Sequence, residues 1–261
     1  MPAEEFSKYR SFDGFEVSYF KAAPEGGYGS AVIVIHEIFG ITEYIKNVAR
    51  RLAGLGYLAA APNLYSREAD LFTEQNIAGV MRRFWSLPPE RRTDPKAVAE
   101  LAASLPPQER RVVEELVLNR EATEERMVKD VAALYEHLKE AYRPRRIGII
   151  GFCMGGGIAF EALTRVPIDA GVIYYGRAPK RLEDVANIRG AVLAIYAGED
   201  PAINRGVPDL VKALMSYKVR FEMAFYPGTH HAFATEGGPV YDKAAAEDAW
   251  ERTANFFRKH L

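Results

Sequence analysis

The residues best suited to chemistry surround Cys153, the single cysteine of this 261-residue chain. It lies in the segment Gly151-Phe152-Cys153-Met154-Gly155-Gly156-Gly157, directly after the apolar run Ile147–Ile150. A nucleophile with a glycine two residues away on each side is typical of a strand-turn-helix elbow that exposes one reactive side chain. Glycine is needed there because the neighbouring backbone approaches too closely for a Cβ. The pattern predicts a thiol nucleophile at Cys153.

Considered alone, this segment also fits two other structures. Cysteine is among the most frequently buried residues, so Cys153 would then be an inert core residue beside helix-packing glycines. A dinucleotide-binding turn would need Gly-x-Gly-x-x-Gly, whose middle glycine lets the backbone approach the pyrophosphate. Cys153 occupies that middle position, and its side chain would block the approach. The nucleotide interpretation is therefore disfavoured. A base and an acid elsewhere in the chain would favour a thiol nucleophile over an inert core cysteine.

An acid and a base follow the cysteine in the order nucleophile, acid, histidine. Asp200 lies just after one strand-like apolar run, and His230 and His231 lie just after the next. Side chains at the carboxyl ends of parallel strands meet at one edge of the sheet, where a base can reach a nucleophile. The ordered set favours a Cys-His-Asp triad over an inert cysteine.

The loop His36–Gly40, with the sequence His-Glu-Ile-Phe-Gly, follows the continuous apolar run Ala31–Ile35. In this architecture such a loop supplies the second donor of the oxyanion hole, beside the residue that follows the nucleophile. We therefore expect the backbone N–H groups of Ile38 and Met154 to hold the negative charge that develops on a carbonyl oxygen.

The elements that must position these residues are short apolar runs that alternate with longer helical patterns. This alternation predicts an α/β fold with a mostly parallel central sheet and helices on both of its faces. An alternating run at 15–20 predicts an edge strand, and helices are expected at 42–55 and 240–260. The strand before His230 is expected at Val219–Tyr226.

Residues 66–143 form a helical excursion without a convincing strand. Long insertions of this kind often cover active sites, so we expect the excursion to act as a lid or to contact another copy of the chain. The chain length suits one α/β domain spanning residues 1–261, as a monomer or a small homo-oligomer.

Composition excludes several classes of function. The chain carries 34 basic and 35 acidic residues, a balance that gives no electrostatic case for nucleic acid or for an anionic membrane. One cysteine cannot form an internal disulfide and fits a reducing compartment, so a cytoplasmic location is expected. The pairs His36-Glu37 and His230-His231 lack the helical spacing that places two metal ligands on one face. No metal and no other cofactor is predicted.

Four segments together carry a resemblance to a known family: Glu37–Gly40, Gly151–Gly156, Gly198–Asp200 and His231–Phe233. With them in view, the chain resembles the dienelactone hydrolases, also called carboxymethylenebutenolidases, over about residues 12–257 apart from the excursion. The resemblance implies an α/β-hydrolase fold. It also implies hydrolysis of a small-molecule ester or lactone through a thioacyl-enzyme.

The resemblance assigns a role to each matching residue. Cys153 is the nucleophile, His231 is the base, and Asp200 orients the base. His231 is preferred to His230 because the family's histidine directly precedes a small residue and Phe. Glu37 matches a glutamate that contacts the resting thiol in the family and moves when substrate binds. An anionic neighbour would disfavour the thiolate until then.

The chain departs from the family at its substrate-binding arginines. One of them lies four residues after the catalytic histidine, and this chain has Thr235 there. The other lies in the helix after Tyr65, where Arg82 and Arg83 are the candidates. Loss of one charge-assisted hydrogen bond to a substrate carboxylate costs about 1.5–3 kcal/mol, which weakens the expectation that dienelactone itself is the natural substrate. Tyr65, Thr235 and Phe39 complete the predicted substrate-binding residues.

Two alternative functions stay open at this point. A protein of the same fold would bind a small ligand or a partner without turnover, or it would be a thioesterase or peptidase. The motifs do not separate these enzymes from an ester or lactone hydrolase, since all share the triad chemistry.

Overall fold

The structure, a computed structural model, describes residues 2–88, 91–92 and 94–261. Its centre is an eight-stranded sheet with the order β1-β2-β4-β3-β5-β6-β7-β8. The strands are β1 (Ala3–Arg10), β2 (Glu16–Ala23), β3 (Ala31–Ile35), β4 (Leu58–Pro62), β5 (Ile147–Phe152), β6 (Ala170–Tyr174), β7 (Ala191–Glu199) and β8 (Phe221–His230). Strands β1 and β2 pair antiparallel, β2 pairs antiparallel with β4, and the remaining pairs are parallel. The predicted mostly parallel sheet is confirmed.

Strand β3 shows why the central runs are continuously apolar. All five of its residues are buried, because successive side chains point to opposite faces and both faces are covered. Ile33 and Ile35 join the hydrophobic cluster on one face of the sheet, whereas Val32 and Val34 join the cluster on the other. The same burial on both faces holds for β5 and β6. Their carboxyl ends are thereby fixed at one edge of the sheet.

The helices flank this sheet. They are α1 (Glu43–Gly54), α2 (Glu74–Ser86), α3 (Pro95–Ser104), α4 (Pro107–Val113), α5 (Arg120–Ala141), α6 (Met154–Leu163), α7 (Pro201–Asn204), α8 (Val207–Ser216) and α9 (Lys243–His260). None of the helices in the described ranges has the length and apolar composition of a membrane span.

The sequence prediction was wrong at four places in the fold. The run at 15–20, predicted as an edge strand, belongs to β2, which lies between β1 and β4. The prediction missed β1, where Tyr9 is the only buried residue, so the strand lacks an apolar face. Strand β8 continues beyond its predicted end at Tyr226 to His230. Helix α9 begins at Lys243 rather than at 240, because the side chain of Asp242 caps it by accepting the N–H of Ala245 at 3.0 Å.

The excursion at 66–143 is helical, as predicted, and within its described residues it contains no strand. It comprises a short 3₁₀ turn at Ser66–Glu68, helices α2 to α5, and a wide π-type turn at Glu114–Leu118 between α4 and α5. Helix α5 packs against β1, where the hydroxyl of Tyr9 donates to the backbone oxygen of Asp130 at 2.9 Å. The last helix of the excursion is therefore one of the helices that cover the sheet.

Candidate active site

Cys153 lies in the sharp turn between β5 and α6. Its backbone has φ 55° and ψ −118°, a conformation that residues other than glycine rarely adopt. A Cβ on Gly151 would collide with the backbone of Gly155, and a Cβ on Gly155 would collide with carbonyl oxygens at the end of β3. The glycines therefore let the start of α6 lie against β3 and β5. Cys153 is half-buried at this turn, in the position that the sequence pattern predicts for a nucleophile.

Asp200 and His231 meet beside this turn from two other strand ends. Asp200 follows β7 and is nearly fully buried, and one of its oxygens accepts the N–H of Ile203 at 3.4 Å. His231 follows β8, and its Nδ1 lies 2.5 Å from the other carboxylate oxygen of Asp200. This short bond orients the imidazole and leaves Nε2 available to a second partner.

Electrostatic contacts link His231 to Cys153. Burial alone would lower the pKa of His231. The charge of Cys153 raises this pKa and is the largest of the effects that act against burial. Hydrogen bonds with Asp200 and Cys153 act in the same direction, and together they raise the pKa of His231 to about 10. An imidazole with this pKa is the partner expected for a thiolate in an ion pair.

Glu37 lies near His231, but its hydrogen-bond partner is Thr235 rather than the thiol of Cys153. Glu37 is 5% exposed, and its carboxylate accepts a hydrogen bond from the hydroxyl of Thr235 at 2.8 Å. Burial raises the pKa of Glu37, while Thr235 and the charge of His231 partly oppose that rise. Within the described residues no hydrogen bond joins Glu37 to Cys153, unlike the resting contact that the resemblance implies.

The two predicted oxyanion donors lie on either side of Cys153 in the fold, at the end of β3 and at the start of α6. Neither the N–H of Ile38 nor that of Met154 donates a hydrogen bond within the described part of the chain. The hydroxyl of Tyr65 donates to the carbonyl of Ile38 at 2.7 Å and lies 3.9 Å from the sulfur of Met154. Tyr65 thus links the two donor segments.

The predicted substrate-binding residues fall into different places. Arg82 and Arg83 are exposed on α2, and Arg83 forms an ion pair with Glu109 at 2.5 Å. Among the described interactions, neither arginine contacts Cys153, Asp200 or His231. Phe39 lies in the loop His36–Gly40, directly after Ile38, and its ring meets that of Trp85 from the excursion with centroids 6.3 Å apart. Thr235 donates to the carboxylate of Glu37, as described above.

A cavity of about 280 Å³ lies between Tyr65 and the helical excursion. Its lining residues are Tyr65, Arg67, Glu68, Phe72, Glu115 and Arg126. The rings of Tyr65 and Phe72 stack with centroids 4.7 Å apart, which gives the cavity an aromatic side. Its remaining wall carries charges of both signs, so the cavity has no single-sign field that would select an anion.

Sequence reasoning missed Tyr175, which directly follows β6. Its ring packs against His231 with centroids 5.1 Å apart, and its hydroxyl lies 3.5 Å from that of Thr235. Tyr175 has φ 39°, and Ala232, beside the histidine, has φ 69°. Of the five described residues other than glycine with positive φ, Cys153, Tyr175 and Ala232 lie at this site, whereas Arg143 and Lys218 lie elsewhere. Only the position of Tyr175 after an apolar strand could have indicated it.

This chain is similar to known proteins over most of its length. A family model described as the dienelactone hydrolase family matches residues 17–261. A protein of Saccharolobus solfataricus, provisionally named carboxymethylenebutenolidase, is 47% identical over 247 residues, 95% of this chain and 95% of that protein. A protein of Methylorubrum extorquens with the same provisional name is 32% identical over 259 residues, 95% of this chain and 78% of that protein.

Solved structures show the same architecture. The crystal structure of a provisionally named dienelactone hydrolase from Klebsiella pneumoniae matches with a TM-score of 0.72 at 26% identity. The match covers 99% of this chain and 100% of that one. The predicted α/β-hydrolase fold is thereby confirmed.

Proposed function

Because this chain belongs to the dienelactone hydrolase family and is thus a hydrolase of carboxylic esters or lactones, we propose that it acts through a Cys153-His231-Asp200 triad and a thioacyl-enzyme. The observation that carries the proposal is the convergence of three strand ends. Cys153 stands in a strained elbow, and His231, 2.5 Å from Asp200, has a pKa raised by the charge of the cysteine.

In the acylation half of the reaction, His231 holds the proton that Cys153 has lost, and the thiolate sulfur attacks the substrate carbonyl carbon. The carbonyl oxygen becomes an oxyanion that accepts hydrogen bonds from the N–H groups of Ile38 and Met154. As the C–O bond of the ester breaks, the imidazolium gives its proton to the leaving alkoxide. In a lactone the released hydroxyl stays attached to the acyl group.

In the deacylation half, His231 takes a proton from water, and the resulting hydroxide attacks the thioester carbonyl. The same N–H groups hold the second oxyanion. Its collapse breaks the C–S bond, expels the Cys153 thiolate and releases the carboxylic acid, while the proton remains on His231. Asp200 stays ionised throughout and stabilises the imidazolium.

The test uses p-nitrophenyl esters and a panel of small lactones with the wild type and Cys153→Ala. We expect turnover and an initial burst of nitrophenol in the wild type alone, together with an acyl adduct on Cys153 in the mass spectrum. His231→Ala should lose activity, whereas His230→Ala, at the exposed last residue of β8, should keep it. Equal turnover by the wild type and Cys153→Ala would contradict the nucleophile assignment.

The same panel separates the other enzymes that share this chemistry. Thioesters and p-nitroanilides are assayed beside the esters. Preference for oxygen esters or lactones supports the proposal, and a higher kcat/KM for thioesters or anilides would favour a thioesterase or a peptidase.

A further inference from the structure

His36 is a completely buried histidine next to the active site that the proposed reaction does not use. It directly follows β3 and is 0% exposed. Its ring makes two hydrogen bonds, both to backbone groups. Nδ1 lies 2.6 Å from the carbonyl oxygen of Glu37, and Nε2 lies 3.2 Å from the backbone nitrogen of Leu64.

These two partners fix the protonation state of the ring. A carbonyl oxygen only accepts hydrogen bonds, so Nδ1 must carry a hydrogen that it donates to Glu37. A backbone N–H only donates, so Nε2 must accept from Leu64 through its lone pair. The ring is therefore the neutral Nδ1–H tautomer. Burial lowers the pKa of His36 to about 4, against the opposing effect of its bond to Glu37, which agrees with a neutral ring.

The carbonyl that His36 holds belongs to the same peptide unit as an oxyanion donor. The peptide between residues 37 and 38 carries the C=O of Glu37 and the N–H of Ile38. A trans peptide is planar, so these two groups point in opposite directions and rotate together. Fixing the carbonyl toward the imidazole therefore fixes the direction of the Ile38 N–H. The next carbonyl, that of Ile38, is held by Tyr65 at 2.7 Å.

The bond to Leu64 keeps the ring itself in place. Leu64 lies just after β4, which neighbours β3 in the sheet. The imidazole thus bridges the exits of two adjacent strands, and it cannot rotate without leaving a buried N–H and a buried C=O unpaired. Such unpaired groups are costly in a protein interior.

We propose that His36 is a positioning residue for the oxyanion hole, which through the Glu37 carbonyl aims the Ile38 N–H at the substrate oxygen. This inference rests on the proposed function. It assigns His36 to the carbonyl chemistry alone, not to the activation of the thiol. Removal of one oxyanion donor lowers kcat by about 10²–10³ in other hydrolases, which sets the upper limit of the effect.

Two substitutions separate the two hydrogen bonds. The amide of His36→Asn occupies the place of Nδ1 and can still donate to Glu37, but it does not reach Leu64. The amide of His36→Gln occupies the place of Nε2 and can accept from Leu64, but it offers no donor to Glu37. Each variant leaves one backbone group unpaired, so each serves as the stability control for the other.

Two reactions of Cys153 are compared in each variant. The burst of nitrophenol from a p-nitrophenyl ester measures acylation, which needs the oxyanion hole. Alkylation by iodoacetamide displaces iodide at a saturated carbon and creates no oxyanion, so it reports only on the thiolate. We expect His36→Gln to acylate about 10–100 times more slowly than the wild type while its alkylation rate is unchanged. His36→Asn should acylate close to the wild-type rate.

Equal acylation losses in both variants, or a parallel loss of alkylation, would overturn the role of His36. A normal burst in His36→Gln would also overturn the role of His36. If the wild type itself showed no Cys153-dependent burst, the proposed thioacyl mechanism would be refuted, not the role of His36. Nitrogen NMR of the wild type gives a check that needs no variant to fold. The proposal requires the neutral Nδ1–H tautomer at His36, and an Nε2–H tautomer contradicts it.

Discussion

Replacement of Asp200 by Asn tests the orientation of the catalytic base with almost no change of shape. The carboxylate has two different partners, because one oxygen accepts from the Ile203 N–H at 3.4 Å and the other faces Nδ1 of His231 at 2.5 Å. In the variant, the amide oxygen must stay toward Ile203, since an NH₂ group there would meet a second donor. The NH₂ group therefore faces His231.

This arrangement forces the wrong tautomer on the histidine. Nδ1 becomes an acceptor, so the ring proton moves to Nε2, which then has no lone pair to accept the thiol proton of Cys153. In a serine triad the same exchange lowers kcat by about 10⁴ through the same tautomer change. We expect a loss of about 10⁴ in kcat/KM for Asp200→Asn, equivalent to about 5 kcal/mol of transition-state stabilisation. Alkylation of Cys153 at neutral pH should slow as well.

The assay is steady-state hydrolysis of a p-nitrophenyl ester, combined with thermal unfolding to verify the fold. Asp169→Asn is the matched control, because Asp169 also accepts a backbone N–H, that of Ile147 at 2.9 Å, but lies at the opposite end of the strands. The control should keep wild-type kinetics. If Asp200→Asn retains kcat/KM within about tenfold of the wild type, its role in fixing the tautomer is refuted.

Three further predictions concern the same site. Because the pKa of His231 is raised to about 10, kcat/KM should fall as pH rises through about 10, where the imidazolium that protonates the leaving group is lost. In Cys153→Ala, NMR titration should show a lower pKa for His231, because the charge and the hydrogen bond of Cys153 that raise this pKa are gone. Thr235→Val should destabilise the fold by about 1–3 kcal/mol, because it removes the donor to the buried Glu37. Because burial raises the pKa of Glu37, more of its carboxyl is protonated at pH 5 than at pH 8, and urea unfolding should show a smaller loss of stability at pH 5. Thr235→Ser keeps the hydroxyl donor and should keep the wild-type stability. Gly155→Ala should cost about 1–3 kcal/mol in thermal unfolding, because the new Cβ would meet carbonyl groups at the end of β3, and an equally stable variant would refute that steric requirement.

Much of the architecture could be predicted because it follows from local patterns. Runs such as Ala31–Ile35 are apolar at every position, which is required of a strand covered on both faces. The elbow at Cys153 was recognisable because close backbone contact at Gly151 and Gly155 permits no side chain. Strand β1 lacked a pattern of this kind, since it buries Tyr9 alone and is held by its pairing with β2.

The substrate-binding residues could not be predicted in the same way. Arg82 and Arg83 have the right residue type, but the direction of their side chains depends on how α2 packs against the rest of the excursion. The contact of Thr235 with Glu37 joins residues 198 positions apart, a separation over which no local pattern carries information.

The sequence by itself determined the fold class and predicted a nucleophile and the order of its partners, because these depend on apolar periodicity, on glycine sterics and on which residues follow each strand. The tertiary structure alone decided the contacts among the side chains. It set the bond from His231 to Asp200, turned Glu37 toward Thr235, and fixed the tautomer of His36. The reason is physical: a hydrogen bond depends on distances of a few ångströms between segments that only the packed sheet and its helices bring together.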